Sequence, residues 1–375
     1  MKIVIDNKIP FIRGVFEPYA EVVYLPGAET TPDVVKDADA LITRTRTICN
    51  ESLLKGSKVK IIATATIGFD HIDTRWVEAA GIEWKSAPGC NSWSVEQYIA
   101  SVLVTLSKKH GLDLTKMTLG VVGVGNVGSK VAKVAGLLGM KVLLNDPPRA
   151  RREGPDAFVS LDEVIRRADI ITLHVPLERQ GEDATWHLFD DKRIGSLGKD
   201  RILINSSRGP VVDNKALKAA LQEHTIMGAV LDVWENEPGL DPELVSLLDL
   251  STPHIAGYSA DGKANGTTMS VQAVAEKLGL PLTDWVASGI PDPPVSREFA
   301  IDAAGRTNSE VLAEAILHTY EVQEDSDLLR NDIGAFERLR GDYRVRREFR
   351  AFSIKLKGGT EEQRRLLSEM EFNII

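Results

Sequence analysis

Short apolar runs alternate with stretches of helical periodicity along most of the chain. The run at residues 119–122 predicts a buried parallel strand, the pattern at 129–139 predicts a helix, and the run at 140–144 predicts a second strand. Further strands are predicted at 2–6, 20–25, 40–43, 59–65, 169–176 and 227–234, from residue 84, from residue 201 and, as the last strand edge, from residue 250. Further helices are predicted at 94–109, 161–168, 213–224, 261–278, 309–322 and 361–370. Strands that alternate with helices indicate parallel sheets, so the predicted fold class is α/β.

Three glycines in a G-x-G-x-x-G pattern join the strand at 119–122 to the helix behind it. Gly123 suits a tight turn, Gly125 would let the backbone approach a pyrophosphate, and Gly128 would let helix and strand pack closely. Asp146, at the tip of the next strand, could accept both ribose hydroxyls of an adenosine, which favours NAD over NADP. Arg149, Arg151 and Arg152 weaken that preference, unless they belong to a solvated loop. A tight turn in an unrelated α/β protein is the alternative.

Composition and charge exclude several classes of function. A net charge of −9 over 375 residues gives no general attraction to nucleic acid or to an anionic membrane. No apolar run approaches the roughly 18 residues of a membrane span, and the strand predicted from Lys2 leaves no room for a signal peptide. Cys49 and Cys90 form no C-x-x-C pair. They favour buried thiols in a reducing cytoplasm over a disulfide framework or a zinc site, and no metal is expected.

The length of the chain and one proline-rich stretch indicate two or three domains. The helix at 94–109, which Asn91 or Ser92 could cap, is the predicted passage from a first domain into a dinucleotide domain. Residues 289–294 are typical of a linker. The predicted domains are therefore 1–93 with 257–288, then 94–256, and 289–375, the last of which is small enough to favour dimerisation.

Polar loops follow two of the predicted strands in the first domain. Arg44, Thr45 and Arg46 come after the strand at 40–43, and Thr66 comes after the strand at 59–65. Because ligands of open α/β sheets bind beyond the carboxyl ends of the strands, both loops suit a small anionic substrate. Solvated surface charge is the alternative for the two arginines. The same alternatives, a phosphate contact or a solvated rim, apply to a basic stretch formed by Arg344, Arg346, Arg347 and Arg350.

Arg208, Glu237 and His254 each follow a predicted strand of the dinucleotide domain. Arg208 offers a planar fork that matches a carboxylate and the adjacent carbonyl oxygen. His254 could exchange a hydroxyl proton during hydride transfer, and Glu237 could fix the imidazole tautomer. Asp232 could hold a nicotinamide carboxamide. The spacing alone leaves duller alternatives open: a surface ion pair, a solvated acid and a satisfied structural histidine.

Six motifs in a fixed order make the chain resemble the D-isomer-specific 2-hydroxyacid dehydrogenases over roughly residues 1–285. The motifs are A-T-I-G-F-D-H-I-D from Ala65, G-V-V-G-V-G-N-V-G from Gly120, H-V-P-L from His174, N-S-S-R-G-P-V-V-D from Asn205, L-D-V-W-E-N-E-P from Leu231 and T-P-H-I-A-G from Thr252. The resemblance implies two Rossmann-like doubly wound parallel-sheet domains plus a small α+β C-terminal dimerisation domain. It also implies catalytic roles for Arg208, Glu237 and His254.

The resemblance further implies contacts with the cofactor NAD and with the substrate. The implied cofactor contacts are Gly123, Gly125, Asn126, Val127, Gly128, Asp146, Val175, Ser206, Ser207, Arg208, Asp232 and Gly257. Val175 stands where some members have Thr, so its contact would come from the backbone. The implied substrate contacts are Thr45, which is Ser in some members, Thr66 and Tyr258.

Three features place the chain near one branch of that family. Tyr258 follows H-I-A-G, where relatives usually carry a small residue, the spacing from Glu237 to His254 is short, and the tail around Tyr320 and Phe336 resembles a C-terminal dimerisation domain. This branch is expected to be a cytoplasmic homodimer that oxidises a small phosphorylated hydroxy acid. The alternatives are a sister dehydrogenase for phosphoglycerate, lactate or glyoxylate-type acids, and a non-catalytic NAD-sensing protein.

Overall fold

A computed structural model describes residues 1–375 as alternating strands and helices. The strands are β1 Lys2–Asp6, β2 Glu21–Leu25, β3 Ala40–Thr43, β4 Ile61–Thr64, β5 Glu83–Lys85, β6 Thr118–Val122, β7 Lys141–Asn145, β8 Ile170–Leu173, β9 Ile202–Asn205, β10 Gly228–Leu231, β11 Leu250–Ser251, β12 Glu298–Asp302, β13 Ser353–Lys357 and β14 Asn373–Ile374. The helices are α1 Pro32–Val35, α2 Glu51–Leu54, α3 Thr74–Ala79, α4 Ser92–His110, α5 Asn126–Leu137, α6 Pro147–Glu153, α7 Leu161–Arg167, α8 Asp191–Gly195, α9 Asn214–Gln222, α10 Pro242–Leu247, α11 Ala260–Leu278, α12 Asn308–Thr319, α13 Val322–Asn331, α14 Phe336–Gly341 and α15 Glu361–Glu369.

The first of two compact units comprises residues 1–91 and 259–292. Its five parallel strands run in the order β2-β1-β3-β4-β5. Successive residues of β1 enter different cores, Val4 on one face of the sheet and Ile3 and Ile5 on the other. Both faces are therefore covered, which is why these strands are almost continuously apolar in sequence.

The second unit comprises residues 92–258 and 293–375. Its main sheet has six parallel strands in the order β11-β10-β9-β8-β6-β7. The chain leaves β6 on one side to form β7 and returns to its other side to form β8. In open α/β sheets, a ligand binds at the carboxyl ends of the strands where the order reverses in this way.

Residues 293–375, which we call the C-terminal segment, form a small parallel sheet β12-β13-β14 with helices α12 to α15. Ile316 and Phe352 belong to the same apolar core as Ile99 of α4. Gln97, also on α4, donates from its Nε2 to the Thr319 hydroxyl at 3.1 Å and to a backbone carbonyl of the segment. The predicted fold class is confirmed, while the three-domain division remains a prediction.

Two predicted helix boundaries are wrong, and a tertiary contact sets the first of them. The helix predicted at 309–322 breaks at Tyr320, where the Ser101 hydroxyl donates to the Tyr320 carbonyl at 2.9 Å and accepts the Val322 N–H at 3.0 Å. The helix predicted from residue 94 begins at Ser92, which is fully buried in the fold. Serine is a weak helix former, so its local propensity does not show this start.

Two remaining sequence expectations concern membranes and cysteines. No helix has both the length and the apolar character needed to cross a bilayer. Cys49 and Cys90 are buried and are not disulfide-bonded, and burial raises the pKa of the Cys49 thiol to about 12. The Cys49 thiol is therefore a poor nucleophile at neutral pH.

Candidate active site

The glycine turn after β6 has the geometry that a dinucleotide phosphate needs. Gly123 has a φ of +86°, and a Cβ there would lie 2.7 Å from the His174 carbonyl oxygen. A Cβ on Gly128 would lie 1.9 Å from the Gly123 carbonyl oxygen, so this glycine lets α5 pack closely on the turn. A Cβ on Gly125 would meet nothing within 4 Å. This open space adjoins the first N–H groups of α5, which fits a pyrophosphate.

Three further predicted cofactor residues surround this turn. Asn126 is exposed and Val127 is half-buried in the first turn of α5. Val175 follows β8, and its Cγ1 would lie 2.8 Å from a Cβ on Gly123, so the valine packs on the glycine turn. The Val175 side chain is apolar, and any polar contact at this position would therefore come from the main chain.

Asp146 follows β7 beside the glycine turn, and the protein holds both of its carboxylate oxygens. Oδ2 accepts the Val124 N–H at 2.8 Å, and Oδ1 accepts the Arg149 N–H at 3.0 Å as the N-cap of α6. A carboxylate oxygen can accept more than one hydrogen bond, so both oxygens keep the capacity to bind ribose hydroxyls. The negative charge would repel a 2′-phosphate, which agrees with NAD as the cofactor.

The three arginines behind Asp146 are paired with carboxylates. Arg149 contacts Glu153 through Nε at 3.0 Å, and Arg152 contacts the same carboxylate at 2.6 Å. These two guanidiniums lower the pKa of Glu153 to about 2. Arg151 pairs with Asp183 and with a second exposed acid. Because the three positive charges lie beside three carboxylates, those of Glu153, Glu182 and Asp183, the arginines do not overturn the preference for NAD.

Asn205, at the end of β9, organises the loop that carries Arg208. Its Oδ1 accepts the Ser207 N–H at 3.1 Å and the Ser207 hydroxyl at 2.8 Å, while its Nδ2 donates to the Arg208 carbonyl at 2.9 Å. Arg208 is half-buried, and its Nη1 donates to the Ser207 carbonyl at 2.8 Å. The Ser206 hydroxyl is buried with no hydrogen-bond partner, which fits a ligand contact at this loop.

Asp232 holds the loop that carries His254. Its carboxylate accepts the N–H groups of Ile255 at 2.7 Å and Ala256 at 3.0 Å and the Thr252 hydroxyl at 2.6 Å. Its carbonyl accepts the His254 N–H at 2.8 Å. The histidine backbone adopts φ 57°, a conformation that is uncommon for a residue with a side chain and needs such support. Asp232 therefore fixes the loop, whatever contact it makes with a cofactor.

His254 and Glu237 form a hydrogen-bonded pair. The imidazole Nδ1 lies 2.8 Å from Oε2 of Glu237, and Oε1 accepts the Trp234 N–H at 3.0 Å. Burial raises the pKa of Glu237, but the hydrogen bond and charge of His254, the Trp234 N–H and the charge of Arg340 outweigh burial and lower it. Glu237 is thus ionised at neutral pH and can only accept. The proton of the neutral imidazole therefore resides on Nδ1, which leaves Nε2 to exchange a proton with a substrate.

A close backbone approach joins the Arg208 loop to the Glu237 loop. A Cβ on Gly209 would lie 1.9 Å from the Trp234 carbonyl oxygen, so only glycine allows these loops to meet. Trp234 in turn donates through its indole N–H to the Thr252 carbonyl at 3.1 Å, in the loop after β11. The loops of Arg208, Glu237 and His254 are therefore linked at the carboxyl edge of β9, β10 and β11.

The other predicted substrate residues lie in the first unit, at the carboxyl ends of β3 and β4. Thr45 and Arg46 are exposed, and Arg44 is half-buried with its Nη1 3.5 Å from the Lys8 carbonyl. The Thr66 hydroxyl lies 2.7 Å from the Thr64 hydroxyl and 2.8 Å from the Gly68 carbonyl. Adjacent strands thus bring these two loops to one edge of this sheet. In the second unit, Gly257 and Tyr258 are half-buried in the His254 loop.

Two arginines of the basic stretch, Arg346 and Arg347, are buried, so the solvated-rim alternative is wrong for them, whereas Arg350 is exposed. Arg346 is 2% exposed, and its Nη2 donates to the Ile255 carbonyl at 3.0 Å and to the next carbonyl at 2.6 Å. Arg347 is 8% exposed. Arg344 and Arg350 are paired with acids of the segment. The sequence pattern did not show the burial of Arg346 because its partners, two backbone carbonyls and the Ser94 hydroxyl, are distant in the chain.

Several supporting residues were missed by the sequence analysis. Tyr98 of α4 lies with its hydroxyl 2.8 Å from the Thr252 hydroxyl. His187 lies with Nε2 2.6 Å from Glu235 and Nδ1 3.7 Å from Asp213, and so braces the loops on either side of the Arg208 and Glu237 motifs. The sequence could indicate only that a polar residue at the end of a buried strand requires a hydrogen-bond partner. It could not indicate which residue is that partner.

Comparison with known proteins identifies the class of this arrangement. Residues 92–256 match the NAD-binding domain of the D-isomer-specific 2-hydroxyacid dehydrogenases, and residues 293–370 match a domain of unknown function. A solved structure of D-lactate dehydrogenase from Aquifex aeolicus, complexed with NAD and lactic acid, covers 78% of this chain and 100% of its own, with a TM-score of 0.64 and 26% identity. The chain belongs to the D-isomer-specific 2-hydroxyacid dehydrogenase family and is an NAD-dependent oxidoreductase.

Within that family, similar relatives carry a more particular name. Erythronate-4-phosphate dehydrogenase of Bacteroides fragilis is 51% identical over 355 residues, which are 94% of this chain and 99% of the relative. The protein of the same name from Proteus mirabilis is 41% identical and covers 100% of this chain and 99% of its own length. The similarity therefore includes the C-terminal segment.

Proposed function

We propose that this dehydrogenase oxidises 4-phospho-D-erythronate to 3-hydroxy-2-oxo-4-phosphobutanoate, in the formation of pyridoxal 5′-phosphate. The proposal depends mainly on one observation: the chain is 51% identical to a relative that is named for this substrate, and the match covers 99% of the relative's length. The reactive groups support it. Arg208, Glu237 and His254 lie on linked loops at one sheet edge, and they provide an anion-binding fork and an acid–base pair.

In the proposed reaction, His254 acts as the general base. Its Nε2 takes the proton of the substrate C2 hydroxyl while the C2–H bond breaks and the C2 carbonyl forms. NAD, when bound, accepts the hydride from C2. Glu237 holds the Nδ1 proton and stabilises the imidazolium that results. Arg208 binds the C1 carboxylate and the C2 oxygen through its planar fork. In the reverse reduction, His254 returns the proton.

The proposed cofactor residues are those whose geometry fits a dinucleotide. The turn at Gly123, Gly125 and Gly128 and the first N–H groups of α5 would bind the pyrophosphate. Asp146 would bind the adenosine ribose, and the loop at 205–208 would bind the nicotinamide half. For the substrate, we propose hydroxyl contacts from Thr45, Thr66 and Tyr258, with Arg44 and Arg46 as further charge.

We also propose that the chain is a homodimer through residues 289–375. The strands β12 and β14 are the two edges of the three-stranded sheet, and an exposed apolar side chain lies next to each of them, Val295 before β12 and Ile375 after β14. Light scattering on the purified chain would test the proposal, and a monomeric mass would refute it. The two free cysteines agree with a reducing compartment, and we propose the cytoplasm.

The test of the proposed substrate is NADH formation at 340 nm with 4-phosphoerythronate, 3-phosphoglycerate and D-lactate. Preference for 4-phosphoerythronate is expected. Preference for another acid would keep the family but refute the substrate, and NAD binding without any turnover would favour a sensor. The His254→Ala variant should bind NAD and lose turnover. Arg208→Lys should also lose turnover, because one ammonium cannot replace the two-pronged contact.

A further inference from the structure

Arg340 of the C-terminal segment lies at the edge of the candidate active site. Its guanidinium carbon is 5.5 Å from the centroid of the Tyr258 ring. Tyr258 belongs to the loop that carries His254, and its own ring packs edge-on against Tyr343 at 6.2 Å. The charge of Arg340 is also felt at Glu237, where it lowers the pKa after the larger effects of burial, His254 and Trp234. Arg340 is therefore a cation beside the acid–base pair.

Arg340 differs from its neighbours because its guanidinium has no hydrogen-bond or salt-bridge partner. Arg338 pairs with Asp332 at 3.2 Å, and Arg344 pairs with two acids. Arg346 is bound to backbone carbonyls. Arg340 forms no hydrogen bond or salt bridge, and its Nε is buried without a partner. A half-buried guanidinium with no hydrogen-bond or salt-bridge partner keeps its donors available, so it can bind an anion that arrives from outside the chain.

The contact with Tyr258 also leaves the guanidinium usable. A guanidinium stacked on an aromatic face keeps its N–H groups in its own plane, directed away from the ring. In that arrangement it can form two parallel hydrogen bonds with a phosphate. The tyrosine ring is thus a contact that holds the guanidinium near the His254 loop before the ligand binds.

We propose that Arg340 binds the phosphate group of the substrate. The inference rests on the proposed function, because that substrate carries a carboxylate at one end and a phosphate at the other. Arg208 serves the carboxylate end, so the phosphate end needs a second cation. Arg340 is held against Tyr258, a proposed substrate contact, and has N–H groups without partners. The C-terminal segment would then supply a specificity residue as well as a dimer contact.

The experiment compares a substrate with and without the phosphate. Wild type, Arg340→Gln, Arg340→Lys and the control Arg338→Gln are assayed with saturating NAD on 4-phosphoerythronate and on D-erythronate, with inorganic phosphate as a competing ligand. Loss of charge-assisted hydrogen bonds should raise KM for 4-phosphoerythronate about 30- to 100-fold in Arg340→Gln. The D-erythronate rate and kcat should stay within about twofold, inhibition by phosphate should be lost, and Arg340→Lys should lie between. The Arg338→Gln control should match wild type.

The other outcomes separate this inference from the proposed function. If wild type does not prefer 4-phosphoerythronate to D-erythronate, the proposed function fails and the inference fails with it. If wild type shows the preference but Arg340→Gln loses activity equally on both substrates, the inference alone is overturned. The inference is also overturned by a shifted pH profile of kcat with unchanged substrate preference, because Arg340 would then act through Glu237. If Arg340→Gln has a lowered Tm, the Arg340→Lys variant still tests the inference. Normal inhibition by phosphate and a normal KM for 4-phosphoerythronate in Arg340→Lys would overturn it.

Discussion

The Glu237→Gln substitution removes the negative charge that His254 faces and keeps the size of the side chain. The two groups are 2.8 Å apart, and their side chains are only 22% and 28% exposed. At an effective dielectric constant of about 20, two charges about 4 Å apart interact by about 4 kcal/mol, and partial exposure reduces this to about 3 kcal/mol. Loss of about 3 kcal/mol from the transition state, in which the imidazolium forms, corresponds to a rate loss of about 100-fold.

A second effect of the same substitution adds to that loss. The amide introduced by Glu237→Gln could turn its NH₂ group towards Nδ1, which would favour the imidazole tautomer with its proton on the substrate side. A wrong tautomer in a comparable acid–histidine pair costs about 10⁴ in rate. We therefore expect kcat for NADH formation at 340 nm to fall by between about 10² and 10⁴, with NAD affinity nearly unchanged because Glu237 is not among the proposed cofactor residues.

The control is Glu235→Gln, which changes an equivalent pair two residues earlier. Glu235 lies 2.6 Å from Nε2 of His187 and also accepts the Asn214 N–H at 2.9 Å. This variant should lose some thermal stability but keep kcat within a fewfold of wild type. Equal rate losses in the two variants, or a Glu237→Gln enzyme with more than half the wild-type rate, would refute the role of Glu237.

The pH dependence of stability gives an independent check on Glu237. Its pKa in the fold is lowered, so its contribution to stability is present above the ordinary pKa of about 4.3 and is lost as the pH falls through the lower folded value. The difference in unfolding free energy between wild type and Glu237→Gln should therefore be constant at neutral pH and shrink below about pH 4.3. Chemical unfolding at several pH values measures it, and a difference that grows with acid would contradict the assigned ionisation.

Three further predictions follow from single contacts. Gly125→Ala should melt like wild type, because its Cβ enters only open space, but that space is the proposed pyrophosphate site, so NAD should bind at least about tenfold more weakly. Gly128→Ala should instead lose about 3 kcal/mol of stability, because its Cβ would lie 1.9 Å from the Gly123 carbonyl oxygen. Calorimetry and NAD titration distinguish the two variants. Asp146→Asn keeps the helix-cap oxygen and removes the charge, so the ratio of kcat/KM for NADP to that for NAD should rise, and an unchanged ratio would contradict the assignment. Glu96 is 2% exposed, and burial raises its pKa to about 8. The contribution of Glu96 to the free energy of unfolding is therefore highest below about pH 4.3, where Glu96 is neutral in both the folded and the unfolded state, and falls as the pH rises through 8. Glu96→Gln should raise Tm at pH 8 by several degrees and have little effect at pH 5.

The sequence predicted features that depend on local pattern. The strands at 2–6 and 40–43, the tight turn at Gly123 and the close packing at Gly128 agree with the structure. Each depends on neighbouring residues, since burial sets the apolar run and the turn sets the glycines. The pairing of Glu237 with His254, proposed from their positions after strands, is also present in the structure.

The features that the sequence did not predict depend on partners far away in the chain. The break at Tyr320 is made by Ser101, 219 positions earlier. The buried state of Arg346 depends on carbonyl groups 90 and 91 positions away. No propensity or periodicity carries such information, because a basic stretch in a sequence has the same appearance whether its partners are water, acids or backbone carbonyls.

The hydrogen bonds of the His254 loop show that the C-terminal segment helps to hold this loop in place. Asp232 accepts the N–H groups of Ile255 and Ala256 on one side of the loop. Arg346 donates to the carbonyl groups of the same two residues on the other side. The loop backbone is thus held between a buried carboxylate of the nucleotide-binding sheet and a buried guanidinium of the C-terminal segment. Without the segment, the buried Ile255 carbonyl would lose its Arg346 donor, and the Ala256 carbonyl would keep only the Ser94 hydroxyl at 2.8 Å. The left-handed backbone of His254 would then lose part of its support. The position of His254 therefore depends on the segment directly.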